Sequence, residues 1–230
     1  HLNSKKTQSP RQNNNLKTKQ QISFNSSLWK NEGNFKQKLY SSYDSYKSKQ
    51  MEKFDNINYQ AFDSREKIVN NYVDRFRSIK SIQKKSNVIC LAARGGEEVE
   101  AFRKLGFFAF GIDLNPGLKN KYVVEGDFHK IELQDKVVDI VYTNSLDHSY
   151  DIKLILYEIN RILKENSFFI CDLLDGYNEG FLPGDHDSTI WASKDDLIKS
   201  IEQNTNLKLI HLNEIHSKKY WHMALFSNSK

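Results

Sequence analysis

The fold is decided by residues 87–113, which read NVICLAARGGEEVEAFRKLGFFAFGID. Residues 88–92 are an apolar run that predicts a buried strand, and the small-residue turn after it ends in Gly95-Gly96. A helical pattern over 97–105 and a second strand follow, and the carboxylate of Asp113 ends the stretch. A strand, a glycine turn, a helix and a strand tipped by an acid, in this order, predict half of a nucleotide-binding α/β fold.

Strand and helix patterns continue to alternate along the chain. We predict strands near 88–92, 107–112, 121–125, 138–143, 167–173, 207–214 and 219–227, and helices near 97–105, 151–164 and 194–204. The link between the last two strands is short, so they can only pair antiparallel, because a parallel return needs a long crossover. The predicted fold class is therefore α/β, with a Rossmann-like, mostly parallel sheet that has helices on both faces and an antiparallel last strand.

The N-terminal part of the chain differs in composition from the rest. Residues 1–86 carry 18 Lys+Arg against 7 Asp+Glu, a net charge of +11, whereas the remainder carries 16 against 22, or −6. We expect residues 1–60 to be a basic, partly disordered extension whose scattered aromatic residues pack as a cap or, as the alternative, stack on a ligand. The basic arm leaves contact with nucleic acid open, although it lacks dense arginine clusters. The capping-box pattern Asp63-Ser64-Arg65-Glu66 predicts a helix that begins near Asp63.

The cysteines and the hydropathy pattern indicate the compartment. Cys90 and Cys171 both lie in apolar, strand-like runs, so we predict reduced core thiols rather than a disulfide. No apolar run approaches the roughly 18 residues that a membrane span needs. These features predict a cytoplasmic protein without a membrane span.

The turn after the first strand distinguishes between two nucleotide cofactors. A nicotinamide dinucleotide site needs Gly-x-Gly-x-x-Gly so that a pyrophosphate can lie on the helix N-terminus, and the turn lacks this spacing. Glu97 and Glu98 in the first helical turn would also repel a pyrophosphate. S-adenosylmethionine has no phosphate, so the pattern favours it. Asp113 is then placed to bind a ribose, and Asp127 with Phe128 to bind an adenine.

Five segments carry a resemblance to a known family. They are Val88–Val99, Gly111–Pro116, Gly126–His129, Asp139–His148 and Arg161–Ser167. Together they resemble motifs of class I S-adenosylmethionine-dependent methyltransferases, and the methyltransferase type 11 kind in particular. The likeness covers about residues 86–227, so we expect a methyltransferase domain over 61–230. It implies a seven-stranded sheet whose last strand is antiparallel and inserted beside the fifth.

The resemblance also implies which residues bind S-adenosylmethionine. It places the methionyl moiety at Ala92, Arg94, Gly95 and Gly96, the ribose at Asp113, the adenine at Leu114, Asp127 and Phe128, and it adds Asn144 and Ser145 from the fourth strand. The chain departs from the family pattern at Cys90, where an acid is usual, and at Ala92 and Arg94, where glycines are usual. The turn before the fifth strand lacks its usual glycines.

Asp147 and His148 are the candidate catalytic residues, because they follow the fourth strand, where an acceptor would arrive. Methyl transfer needs a general base only when the acceptor must lose a proton. His148 could take that proton while Asp147 or Asp151 orients its ring. The alternative is that one of the two aspartates caps the next helix and that His148 only packs.

The loop 175–192 is long enough to be a lid over the acceptor, and it contains Asp185-His186-Asp187. No second cluster has ligand spacing, so we expect no metal site. The predicted function is methyl transfer to a small molecule, a sugar or a lipid-linked intermediate. Two alternatives stay open: a catalytically inactive S-adenosylmethionine-binding module of the same fold, and an NAD-dependent oxidoreductase.

Overall fold

A computed structural model describes residues 24, 27–55, 64–117, 120–216 and 218–229. Its strands are β1 (Trp29–Glu32), β2 (Phe35–Lys38), β3 (Asn87–Leu91), β4 (Phe108–Asp113), β5 (Val123–Glu125), β6 (Val138–Thr143), β7 (Leu163–Leu174), β8 (Thr189–Trp191), β9 (Lys208–Glu214) and β10 (Trp221–Ser227). Its α-helices are α1 (Tyr43–Asp55), α2 (Arg65–Arg77), α3 (Glu97–Lys104), α4 (Ile152–Ile162) and α5 (Lys194–Asn204).

Seven strands form the central sheet in the order β5-β4-β3-β6-β7-β10-β9. The pairs from β5 to β7 are parallel, and β10 pairs antiparallel with both β7 and β9. The last strand is thus antiparallel and inserted beside the fifth strand of this sheet, β7. The predicted fold class and sheet arrangement are confirmed.

The helices bury apolar faces against the two sides of this sheet. On one side, α2 and α3 meet through the stacked rings of Phe76 and Phe102, whose centroids lie 4.0 Å apart. On the other side, α4 buries Ile155 and Ile159 among the residues of the larger core. The helix predicted to begin near Asp63 begins at Arg65, and its cap is Ser64, whose side chain accepts a hydrogen bond from Lys67 N. Asp63 itself lies outside the described residues.

The fifth strand of the sheet departs from its predicted bounds. Helix α4 stops at Ile162, because Leu163 turns to an extended backbone and pairs with Val138. The next paired residue, Phe168, lies opposite Ile140, so the strand bulges between the two pairs. Asn166 in this bulge has a φ of 55°. Asparagine tolerates the left-handed region better than most residues, and it occupies that region here in a turn that has no glycine.

A second, three-stranded sheet was not predicted. Strand β2 lies between β1 and β8, and all pairs are antiparallel. The 175–192 loop therefore ends in an ordered strand, which pairs Trp191 with Phe35 and buries the Trp191 indole against Leu174 O. Part of the predicted extension, residues 27–55, packs on the α/β core. The boundary at residue 60 stays a prediction.

Two expectations from composition can be compared with the structure. Cys90 and Cys171 are buried free thiols, as expected. Within the described residues, the helices are too short or too polar to pass through a bilayer.

Candidate cofactor and acceptor site

The turn between β3 and α3 has positive φ angles, which are typical of glycine, at positions that are not all glycine. Ala92 has a φ of 54° and Arg94 a φ of 37°, and Gly96 follows with a φ of 78°. Ala92 and Arg94 are the two positions at which the resemblance has glycine. A non-glycine residue in the left-handed region costs about 1–2 kcal/mol. The turn thus keeps the left-handed backbone that glycine adopts without strain, at an energetic cost from Ala92 and Arg94. Backbone strain of this kind clusters at functional sites.

Asp113 holds this turn from the end of β4. Its Oδ2 accepts a hydrogen bond from Arg94 N at 2.9 Å, and its Oδ1 accepts one from Asn115 N at 2.8 Å. The side-chain amide of Asn120 donates to Arg94 O at 2.8 Å, from the other side of the turn. The carboxylate is therefore fixed at the C-terminal edge of the sheet, where ligands bind in open α/β folds.

A cleft opens above this edge. It is lined by Tyr46, Gln50, Ala92, Arg94, Asp113, Leu114, Gly126, Phe128, Ser145 and His148. Most of the residues predicted to bind the cofactor thus meet in one place, together with the predicted base His148. Gly95 and Gly96 shape the turn without lining the cleft. Tyr46 and Gln50 come from α1; Tyr46 is one of the aromatic residues expected in the cap, and Gln50 was not predicted.

Asp127 lies beside the cleft and is engaged by protein groups. Its Oδ1 accepts from His129 N at 2.9 Å and lies 3.0 Å from His129 Nδ1, and its Oδ2 accepts from the Tyr43 hydroxyl at 2.6 Å. Burial alone would raise the pKa of Asp127, but the hydrogen bonds from His129 and Tyr43 hold it below its usual value. An adenine amine would have to share this carboxylate with Tyr43. Asp127 lines a neighbouring groove together with Leu114 and Gly126.

Asn144 leads from the cleft into a buried polar network. Ser145 Oγ donates to Asn144 Oδ1 at 2.8 Å, and Asn144 Nδ2 donates to the Tyr72 hydroxyl at 2.9 Å. Behind Tyr72, the hydroxyl of Tyr142 donates to Asp172 at 2.9 Å. Tyr72 lies on the buried face of α2, and no pattern in the sequence indicates a role for its hydroxyl.

Asp172 is the charged end of this network. Arg75 Nη1 lies 2.8 Å from its Oδ2, and the Asp172 side chain is fully buried. Burial raises the pKa of Asp172, and Arg75 partly opposes the shift. The pair ties α2 to β7 directly behind Asn144.

His148 lies near Asp147, one of its two predicted partners, and closer to a third aspartate that was not predicted as a partner. Its Nδ1 lies 3.3 Å from Asp187 Oδ1, 3.2 Å from His186 O and 3.9 Å from Asp147 Oδ2. Asp151 is the N-cap of α4, where it accepts from Lys153 N and Leu154 N. Capping of the next helix is the alternative that the sequence left open for Asp151, and its role in orienting His148 stays a prediction. Asp187 belongs to the long loop and was considered only for metal binding.

Asp147, His148 and Asp187 form one cluster. One ligand atom from each lies within 4.8 Å of the others, a grouping that a divalent metal could also use. Asp147 and Asp187 are buried and His148 is partly exposed to the cleft. The absence of a metal site stays a prediction.

The two glutamates at the start of α3 carry less charge than expected. Glu97 pairs with Arg65 at 2.7 Å. Glu98 is 4% exposed, and burial raises its pKa from 4.5 to about 8, so it binds a proton at neutral pH. The repulsion of a pyrophosphate is therefore weaker than the sequence suggested. The missing dinucleotide glycine spacing is the stronger reason to disfavour a nicotinamide dinucleotide.

Known proteins share this architecture. Residues 89–171, from β3 into β7, match the family model described as a methyltransferase domain. No curated protein sequence matches the chain.

Three solved structures illustrate the likeness. The 1,6-didemethyltoxoflavin-N1-methyltransferase of Burkholderia thailandensis, solved with 1,6-didemethyltoxoflavin and S-adenosylhomocysteine, has a TM-score of 0.64 at 9% identity and covers 89% of this chain and 100% of its own. A SAM-dependent methyltransferase from Aquifex aeolicus has a TM-score of 0.52 at 15% identity, with 79% and 97% covered. A Haloferax volcanii protein in complex with the Trm112 methyltransferase activator has a TM-score of 0.58 at 16% identity, with 83% and 100% covered.

At these identities the likeness to the solved structures shows the fold alone, and the family model matches about a third of the chain. Residues 89–171 therefore resemble a methyltransferase domain, and the protein has the fold of class I S-adenosylmethionine-dependent methyltransferases.

Proposed function

We propose that the protein transfers a methyl group from S-adenosylmethionine to a small molecule, a sugar or a lipid-linked intermediate. The observation that carries the proposal is the position of Asp113, which lies in the cleft with both oxygens oriented by backbone N–H groups. A carboxylate at this edge can accept hydrogen bonds from the two hydroxyls of a ribose.

The other lining residues fit the remaining parts of the same ligand. Leu114 and Phe128 provide apolar surface for an adenine, with Asp127 at its rim. Arg94 is the cation among the lining residues and is a partner for the methionyl carboxylate, next to Ala92, Gly95 and Gly96. Asn144 and Ser145 approach from β6. The donor and acceptor set thus fits an adenosyl group with an amino-acid end.

When bound, S-adenosylmethionine supplies the methyl group of its sulfonium for an in-line displacement. The chain contributes alignment, which supplies much of the acceleration in such reactions. His148 is the general base in this proposal and takes the proton of an acceptor hydroxyl or amine. Asp187, with Asp147 further away, holds the ring through Nδ1, so that proton transfer occurs at Nε2.

A binding experiment tests the cofactor. Calorimetric titration of the full chain should give heat with S-adenosylhomocysteine and none with NAD at the same concentration. Asp113→Ala should weaken the binding of S-adenosylhomocysteine tenfold or more, which corresponds to about 1.4 kcal/mol. The control is Asp195→Ala, which removes an exposed acid at the start of α5 and should leave the affinity unchanged. Heat with NAD alone would contradict the proposal.

The second candidate is an inactive S-adenosylmethionine-binding module of the same fold. The strained Ala92 and Arg94 and the buried Cys90 favour it, because they lie where the methionyl end would bind. Binding of S-adenosylhomocysteine without methyl transfer to any acceptor would select this candidate. The NAD-dependent oxidoreductase remains the weakest alternative, because the β3–α3 turn lacks the dinucleotide glycine spacing.

A further inference from the structure

The N-terminal segment reaches the cleft through one face of a helix. Tyr43, Tyr46 and Gln50 follow the i, i+3, i+7 spacing, so their side chains project from the same side of α1. Tyr46 is completely buried, and Tyr46 and Gln50 both line the cleft. The opposite face of the helix carries exposed residues such as Ser48.

Each of these three side chains makes contact with a different part of the site. The Tyr43 hydroxyl donates to Asp127 Oδ2 at 2.6 Å, after β5. The Tyr46 hydroxyl donates to the His148 carbonyl at 3.0 Å, after β6. Gln50 Nε2 donates to His186 O at 2.8 Å and to Ser188 Oγ at 3.1 Å, in the long loop. One helix therefore contacts the adenine side, the candidate base and the loop that carries Asp187.

The strands before α1 attach the same segment to the same loop. Strand β2 pairs with β8, and Lys38 N donates to Ser188 O at 2.7 Å. Thr189 Oγ1 lies within hydrogen-bond distance of both Gln37 Oε1 and Ser149 O, at 2.9 and 2.8 Å. Residues 27–55 and 186–192 thus form one layer, which we call the roof. The ends of β3, β4 and β6 and the turn before α3 form the opposite wall, which we call the floor.

We propose that the roof is part of the cofactor site: α1 closes over bound S-adenosylmethionine, Gln50 contacts it directly, and the buried Tyr46 supports the cleft wall through its bond to the His148 carbonyl. This inference rests on the proposed function and goes beyond it, because the roof segment 27–55 lies outside the methyltransferase match of 89–171. The hydrogen bonds of Tyr43, Tyr46 and Gln50 hold the inner face of the helix against the residues around the cleft. The cofactor then joins the floor to the roof, and its release requires α1 to move away.

The first test is a pair of variants titrated with S-adenosylhomocysteine. Gln50→Ala removes a lining side chain and the bonds to His186 and Ser188, so we expect about fivefold weaker binding, the scale of one lost hydrogen bond. Ser48→Ala is the matched control, since it changes the exposed, opposite face of the same helix and should leave the affinity unchanged. Equal affinity of Gln50→Ala and wild type would overturn the inference.

The second test uses the wild-type chain, so it does not depend on a variant that folds. Hydrogen exchange of the amides in 43–50 should slow at least threefold when S-adenosylhomocysteine binds, because the ligand joins the roof to the floor. Unchanged or faster exchange there, in a protein that binds the ligand, would overturn the inference and leave the proposed function standing. Absence of binding by the wild type would overturn the proposed function itself.

Discussion

The floor and the roof of the cleft meet the same ligand space but are built in different ways. In the floor, β3 buries four consecutive residues and continues into a strained turn that Asp113 holds through backbone bonds. In the roof, β8 is buried, but β1 buries one residue of four, β2 buries none completely, and polar bonds such as those of Gln50 attach α1. Elements with little buried apolar surface open at lower free energy. The difference indicates a rigid wall that recognises the cofactor and a layer that opens to admit it.

The largest effect should come from Glu98 in the floor. Its pKa is about 8 in the folded protein and 4.5 as an ordinary glutamate, so the native state holds an extra proton between these pH values. The contribution of this group therefore lowers the free energy of unfolding as pH rises from about 4.5 to about 8. Glu98→Gln should flatten that decline by a few kcal/mol, measured by urea unfolding at several pH values. Parallel pH profiles for the two proteins would show that Glu98 is not buried in this way.

The next effect concerns packing beneath the turn. A methyl group on Gly111 would lie 2.7 Å from the Ala93 Cβ and 3.0 Å from Val99 Cγ2. Gly111→Ala should therefore cost about 1–3 kcal/mol in the free energy of unfolding, the usual cost of overpacking.

The matched change in the roof is Gly33→Ala in the β1–β2 turn. Gly33 has a φ of 65°, and an added Cβ meets nothing within 4 Å. We expect faster proteolysis of the roof and a global transition within about 0.5 kcal/mol of wild type, because the roof opens before the floor unfolds. Equal global losses at Gly33 and Gly111 would break the distinction between the two layers.

The smallest effect is the release of strain at Arg94. Arg94→Gly removes a left-handed arginine, but it also adds conformational entropy to the unfolded chain. The net gain in the free energy of unfolding should be about 0.5 kcal/mol, measured by chemical denaturation. Because Arg94 is also the proposed partner of the methionyl carboxylate, the same variant should bind S-adenosylhomocysteine more weakly. A less stable variant would indicate that the arginine side chain stabilises the turn.

Local patterns predicted the strands and helices of the α/β core well. The bounds of β6 and α5 were predicted to the residue, since apolar periodicity and the Ser193 cap define them locally. The roof depends on contacts between distant residues, such as Gln37 and Thr189, which are 152 positions apart. Its strands are short and polar, so no periodicity distinguishes them from loops.

The same distinction between local patterns and contacts of distant residues applies to the site. Asp113 ends a recognisable strand, so its place at the sheet edge follows from the sequence. The partner of His148 does not, because Asp187 reaches it by the folding of a loop that lies far along the chain. Asp127 was assigned to an adenine, and the sequence carried no sign of its bond to Tyr43.

The most direct measurement of the central claim is methyl transfer itself. The full chain is incubated with methyl-labelled S-adenosylmethionine and a library of small hydroxylated and amino compounds, sugars and lipid-linked intermediates. We expect label in an acceptor with the wild type. With His148→Ala we expect transfer at least 100-fold slower, the scale of lost general-base catalysis, at unchanged affinity for S-adenosylhomocysteine. A wild type that binds S-adenosylhomocysteine but labels no acceptor would contradict the account.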